Sequence, residues 1–159
     1  MKMKRGLLMV AATASISFSS AALAASGTAS FDVSVQVLAS CSISASNMSF
    51  ASITTGTTTN TDATSTLTVN CSSGTPFTIA LGNGANFTTA RRMAWGGSYI
   101  TYALFQDSSR SLEWVGATTK SGTGTGVDQS FTIYGRIPSG QNISNTGSYG
   151  DTVIATITY

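Results

Sequence analysis

Asp151-Thr152-Val153-Ile154-Ala155-Thr156-Ile157-Thr158-Tyr159 closes the chain, and its reading decides the fold class. Apolar side chains at Val153, Ala155, Ile157 and Tyr159 fall on every second residue, the spacing that puts them on one face of a β-strand. The same period recurs upstream. It appears at Ile43 and Ala45 after Cys41, at Leu67, Val69 and Cys71, at Phe77, Ile79 and Leu81, at Ile100, Tyr102 and Leu104, and at Phe131, Ile133 and Ile137. Ala29, Phe31, Val33, Val35 and Val37 alternate with Ser30, Asp32, Ser34 and Gln36 ahead of the first cysteine. Asn83-Gly84 and Gly96-Gly97 supply turn positions that need positive φ. Six or seven short strands joined by such turns predict an all-β sandwich or barrel. Ser121 to Gly126, with glycine at alternate positions, reads as a flexible surface loop.

The first residues carry a different signal. Lys2, Lys4 and Arg5 precede an apolar run from Gly6 to Ala12 that grades into Ser, Thr and Ala and ends at Ala22-Leu23-Ala24. A basic start, an apolar centre and an A-x-A site are the parts of a secretory signal peptide, here residues 1–24. Thr13, Ser15, Ser17, Ser19 and Ser20 dilute the run below the roughly 20 apolar residues that a membrane span needs. Cleavage after Ala24 would remove 3 of the 8 basic residues and leave 5 against 6 acidic ones. A mature part so nearly neutral gives no attraction to nucleic acid or to an anionic membrane.

Cys41 and Cys71 are the 2 cysteines of the chain. In an exported protein an even count reads as a disulfide, against the alternative of two buried free thiols. Such a bridge sits on adjacent strands with Cα atoms about 5.5–6 Å apart, and closing a loop of about 30 residues contributes roughly 3–4 kcal/mol. No metal site is expected, since the chain has no histidine and no close C-x-x-C pair. No catalytic residue is expected either. The usual general base is missing, and Asp107 and Glu113 read as solvated turn or edge charges. Gly122-Thr123-Gly124-Thr125-Gly126 is no phosphate loop, because a strand pattern rather than a helix follows it. Arg91-Arg92 reads as a solvated basic pair at the start of a strand. Trp95 and Trp114 read as aromatics packed over a sheet end rather than sugar-stacking platforms. The triplets at Asn47, Asn70, Asn86 and Asn142 match the N-glycosylation pattern but arise by chance in a chain so rich in Asn, Ser and Thr.

Tyr134-Gly135-Arg136-Ile137, Gly140-Gln141 and Gly147-x-Tyr149-x-Asp151-Thr152-Val153-x-Ala155-Thr156-Ile157-x-Tyr159 together closely resemble the ending of the spore coat protein U domain family. That family includes pilin subunits of archaic (Csu-type) chaperone–usher pili. The alternating segment before Cys41, Val69-x-Cys71 and Tyr102-x-Leu104-Phe105-x-Asp107 agree with it, so the resemblance covers Ala29 to Tyr159. It implies an immunoglobulin-like sandwich lacking its last strand and completed by donor-strand exchange. Residues 25–40 would then be a donor-strand extension presenting Phe31, Val33, Val35 and Val37, and residues 41–159 the pilin domain. Val153, Ala155, Ile157 and Tyr159 would form the acceptor edge that first binds a periplasmic chaperone. The implied partners are an outer-membrane usher, that chaperone and identical or related subunits, with no cofactor, nucleic acid or small-molecule substrate. The expected place is the periplasm in transit and then a cell-surface pilus supporting adhesion or biofilm formation. A secreted coat or matrix protein of the same family is the alternative, and a carbohydrate-binding adhesin, which would normally add a second domain, a further one.

Overall fold

The computed structural model describes residues 23–159. The remaining residues, 1–22, hold most of the segment read as a signal peptide, which therefore lies outside the described residues. The chain divides into two units, Met1–Gln36 and Val37–Tyr159. In the first, residues 23–36 form no strand or helix and are exposed. The alternating run from Ala29 to Val37 thus has the pattern of a strand but no ladder partner.

The second unit is built from β1 (Cys41–Ala45), β2 (Thr61–Cys71), β3 (Pro76–Leu81), β4 (Arg91–Trp95), β5 (Ser98–Phe105), β6 (Thr119–Thr123), β7 (Gln129–Ile137) and β8 (Ala155–Thr158). Among the described residues there is no helix. A five-stranded sheet of order β1-β2-β7-β5-β4 packs over a three-stranded sheet of order β6-β3-β8, and every pairing is antiparallel. The period-2 pattern explains the core. Leu67 and Val69 of β2, Phe77, Ile79 and Leu81 of β3, Ile100 and Leu104 of β5, and Ile133 and Ile137 of β7 are all buried. On the outer face Arg136 grips Asp62, directly opposite in register, through Nε at 2.7 Å and Nη2 at 2.9 Å. This bidentate pair pulls the Asp62 carboxyl below its ordinary range and marks the β2–β7 register.

Cys41 and Cys71 are bonded, as the even cysteine count suggests. They are register partners, and their Cα atoms lie 4.1 Å apart, closer than the 5.5–6 Å usual for a disulfide. The pair belongs to the non-hydrogen-bonded class, where antiparallel backbones approach most closely.

Several sequence expectations need correction. The glycine-rich stretch is not a free loop, because Thr119–Thr123 forms the edge strand β6 against β3. Its glycines serve close approach. A β-carbon on Gly122 would run into the Phe77 ring, and one on Gly124 into Ser72 O and Cys71. Gly122→Val is accordingly expected to cost about 1–3 kcal/mol through overpacking, read as a lower urea midpoint. Trp114 is fully buried, with Nε1 donating to Ile79 O at 3.3 Å, whereas Trp95 is half exposed. Arg91 is not solvated. At 2% exposure it is among the most deeply buried side chains in the domain. The final strand is also shorter than its pattern, since only Ala155–Thr158 joins a sheet.

Candidate functional site

β1 ends its sheet with only β2 beside it, β8 ends the other with only β3 beside it, and these two edges come within 8 Å of each other. Past them, along the same side, the sheets do not close. There lies a long groove with two connected hollows of about 620 Å³ and 540 Å³ that share Met48, Phe50, Met93 and Tyr149. One wall is the chain leaving β1, residues 45–55, and the other is the chain approaching β8, residues 145–155. The floor is apolar core: Leu67, Leu81, Leu104 and Ile133 under the first hollow, Ile100 and Ile137 under the second.

Backbone parity decides what the walls offer. Ser40 O accepts from Ser72 N at 2.9 Å and Ser46 N donates to Thr66 O at 2.9 Å, so even-numbered residues of this stretch face β2. The peptide groups of Cys41, Ile43 and Ala45 therefore point to the open edge. From Asn47 to Ile53 no backbone hydrogen bond to another segment is made among the described residues. On the opposite wall, Gly150 exchanges bonds with Ala94 at 2.9 and 3.2 Å. Thr152 O accepts from Ala85 N at 3.1 Å, and Ile154 O from Gly82 N at 2.8 Å. Those residues face away from the groove, which leaves the N–H and C=O of Asp151, Val153 and Ala155 turned toward it. An apolar floor between two rows of free peptide groups can take one thing well, an extended chain with an apolar side chain at every second position.

A polar cluster anchors the second wall beside those backbone bonds. Asp151 Oδ1 accepts from Ala85 N at 2.9 Å, Asn86 N at 3.2 Å and Asn86 Nδ2 at 3.1 Å, and Oδ2 accepts from Tyr102 Oη at 2.7 Å. Gly84, at φ 89°, sits so close that a β-carbon there would collide with the carboxylate. Burial, and then the bond to Asp151, push the Tyr102 hydroxyl well above the ordinary phenol range, so it stays a donor. Arg91 Nε and Nη2 donate to Gly82 O at 3.0 and 2.7 Å, and Nη2 to Leu81 O at 3.3 Å, closing the end of β3 where the wall departs. Burial draws the guanidinium below its usual value, while Tyr102, Glu113 and Asp151 oppose that shift.

Of the residues read as an acceptor edge, Val153 and Ala155 line the groove. Ile157 lies beyond the lining, half-buried opposite Ile79 in β8, and Tyr159 is 58% exposed past the end of the strand. The sequence reading missed the other wall. Met48 and Phe50 alternate with Asn47 and Ser49, a period-2 signal short enough to be passed over beside a glycosylation-like triplet. Their side chains rest on Gly135 of β7, where a β-carbon would strike Met48 Sδ. Gly135→Ala is expected to push Met48 and Phe50 into the groove, weakening any occupant more than it lowers the melting temperature. The readout is an affinity titration beside thermal unfolding.

An all-β sandwich stapled by one disulfide and open along a strand-wide groove is the class that fold and site define. The chain belongs to the Spore Coat Protein U domain family, whose model matches residues 27–156. It is 38% identical over 101 residues to Protein U of Myxococcus xanthus, an alignment covering 56% of this chain and 55% of that protein. The chain thus spans about half the length of this curated relative. It also shares its fold with a structure of the CsuC–CsuE chaperone–tip adhesion subunit pre-assembly complex from archaic chaperone–usher Csu pili of Acinetobacter baumannii. There the TM-score is 0.60 at 22% identity, with 77% of this chain and 40% of that one covered.

Proposed function

We propose that this chain is a structural, non-catalytic subunit of a surface pilus, exported through the periplasm and assembled by the chaperone–usher route through donor-strand exchange. The observation that carries the reading is the groove, whose two rows of unpaired peptide groups and apolar floor suit a strand that the domain itself does not supply. The segment that suits it in a second copy is Ala29–Val37. Its side chains Phe31, Val33, Val35 and Val37 are 84–87% exposed and share one strand face. Burying four of them would contribute roughly 6–12 kcal/mol at about 1.5–3 kcal/mol each. That is comparable with the whole stability of a small domain. Donor and acceptor are different surfaces, so the contact is heterologous and propagates as an open filament. A chaperone filling the same groove would keep the subunit soluble until a neighbour's segment replaces it.

The test is a peptide spanning residues 29–39 added to the exported domain. A rise in melting temperature that saturates with peptide is expected from mass action. No shift at saturation would remove the exchange mechanism. The family's spore-coat description favours a second reading, a secreted coat or matrix protein that does not polymerise. Negative-stain microscopy of cells with and without the gene separates the two, since only the pilus reading predicts filaments that vanish with it.

A further inference from the structure

We propose that the Cys41–Cys71 disulfide is a tension clamp that keeps load on the N-terminal segment from tearing open the chain's own acceptor groove. The inference rests on the strand-exchange reading, because only an inserted segment is pulled. Its basis is the order of elements along the chain. The proposed donor ends at Val37, β1 occupies Cys41–Ala45, and the first groove wall begins at Ala45. The part of the subunit that would be pulled by one neighbour is therefore joined through a single short strand to the part that would hold the other.

That strand is poorly placed to resist. β1 is a five-residue edge strand whose only ladder is with β2, and its first register pair is Cys41↔Cys71. Tension arriving through Ser40 acts on the end of this ladder and would open it one pair at a time. A single ladder hydrogen bond adds little net stability, because water takes its place when it breaks. Past Ala45 the peeling front would run into residues 47–53, which have no backbone bonds to another segment to stop it. The wall would leave, and with it the strand held in the groove.

Past the bonds between Ser40 and Ser72, the disulfide intercepts the load before any register pair beyond Cys41 bears it. It hands the tension to β2, an eleven-residue strand paired on both sides, with nine registered partners on β7. β2 can leave only by breaking that ladder and drawing Leu67 and Val69, both fully buried, out of the core. The bridge thus separates the two ends of the subunit mechanically, a role distinct from restricting the unfolded chain.

Optical-tweezers pulling on the domain, filled with a fluorescent peptide of residues 29–39, tests this. One handle is fixed beyond Tyr159 and the other either ahead of Ala29 or at Thr55→Cys. In Cys41→Ala/Cys71→Ala the N-terminal handle should give an early extension of roughly 43–47 Å, residues 41–53 drawn straight, with loss of the peptide. Wild type should show no such step, and the Thr55 handle should give the same trace in both proteins. An absent early step overturns the clamp, and so does an equal weakening from both handles, which would mean general destabilisation. Should the double variant not fold, dithiothreitol is added to the loaded wild-type complex. A bond that carries load is reduced faster as force rises, and a rate independent of force overturns the proposal. If the peptide never binds, the assembly reading itself falls and takes the clamp with it. If it binds and the traces coincide, only the clamp falls.

Discussion

Val33→Asp or Val35→Asp, co-expressed with the wild-type chain, is expected to shorten filaments rather than merely lower the yield of the mutant. Each places a carboxylate where an apolar floor would have to accept it, at a cost of several kcal/mol, or about a hundredfold or more in affinity. The mutant keeps an intact acceptor groove, since every groove residue lies between Ala45 and Ala155. On the exchange reading it would bind a chaperone and accept a wild-type strand but could not pass one on, and so would cap a growing filament. If residues 29–37 instead served their own domain, the mutant would misfold alone and be degraded, leaving wild-type filaments at full length. Length distributions from micrographs of the mixed expression decide the matter, and unchanged length with a degraded mutant would end the exchange reading.

Asp151→Asn is the second change with a large expected effect. Both carboxylate oxygens of Asp151 accept, and every partner is a donor: two amides of the 85–86 turn, the Asn86 side chain and the Tyr102 hydroxyl. An amide must turn its NH2 against one of them. Leaving such a donor unpaired at a partly buried site costs about 1.5–3 kcal/mol, and Arg91 loses a compensating charge nearby. Because Asp151 is itself part of the second wall, peptide affinity should fall by at least tenfold. Tyr102→Phe removes one bond and should cost about 1 kcal/mol. Asp107 is a matched control. Its carboxyl is held well below the ordinary range by Ser109 first and by the Leu112 and Ser111 amides, but it caps an exposed turn outside the groove lining. Asp107→Asn should leave peptide binding unchanged, and an equal loss in both variants would argue against a specific role for Asp151.

The strands were legible where burial is one-sided. Leu67-x-Val69-x-Cys71 and Phe77-x-Ile79-x-Leu81 alternate because one face meets the core and the other meets water. β6 was not legible, because its place is earned by absent side chains. Glycines that admit the Phe77 ring look, in one dimension, like glycines that loosen a loop. Arg91 misled for a related reason. Its charge suggested solvent, while its guanidinium closes carbonyls that only the folded chain brings within reach.

The all-β class, the disulfide pairing and the two segments with strand periodicity that the family resemblance joined as donor and acceptor were all readable along the chain. Each of these rests on local alternation, on a count of two cysteines or on a terminal motif, and none needs a long-range distance. It took the folded chain to show that Met48 and Phe50 stand across the groove from Val153 and Ala155, and that Asp151 ties the second wall to the 85–86 turn and Tyr102. The folded chain also shows that the segment approaching β8 leaves its sheet before Ala155. These depend on two sheets failing to close along one side. A groove is the space between residues about a hundred positions apart in the chain, and the alternation of either wall alone does not carry it.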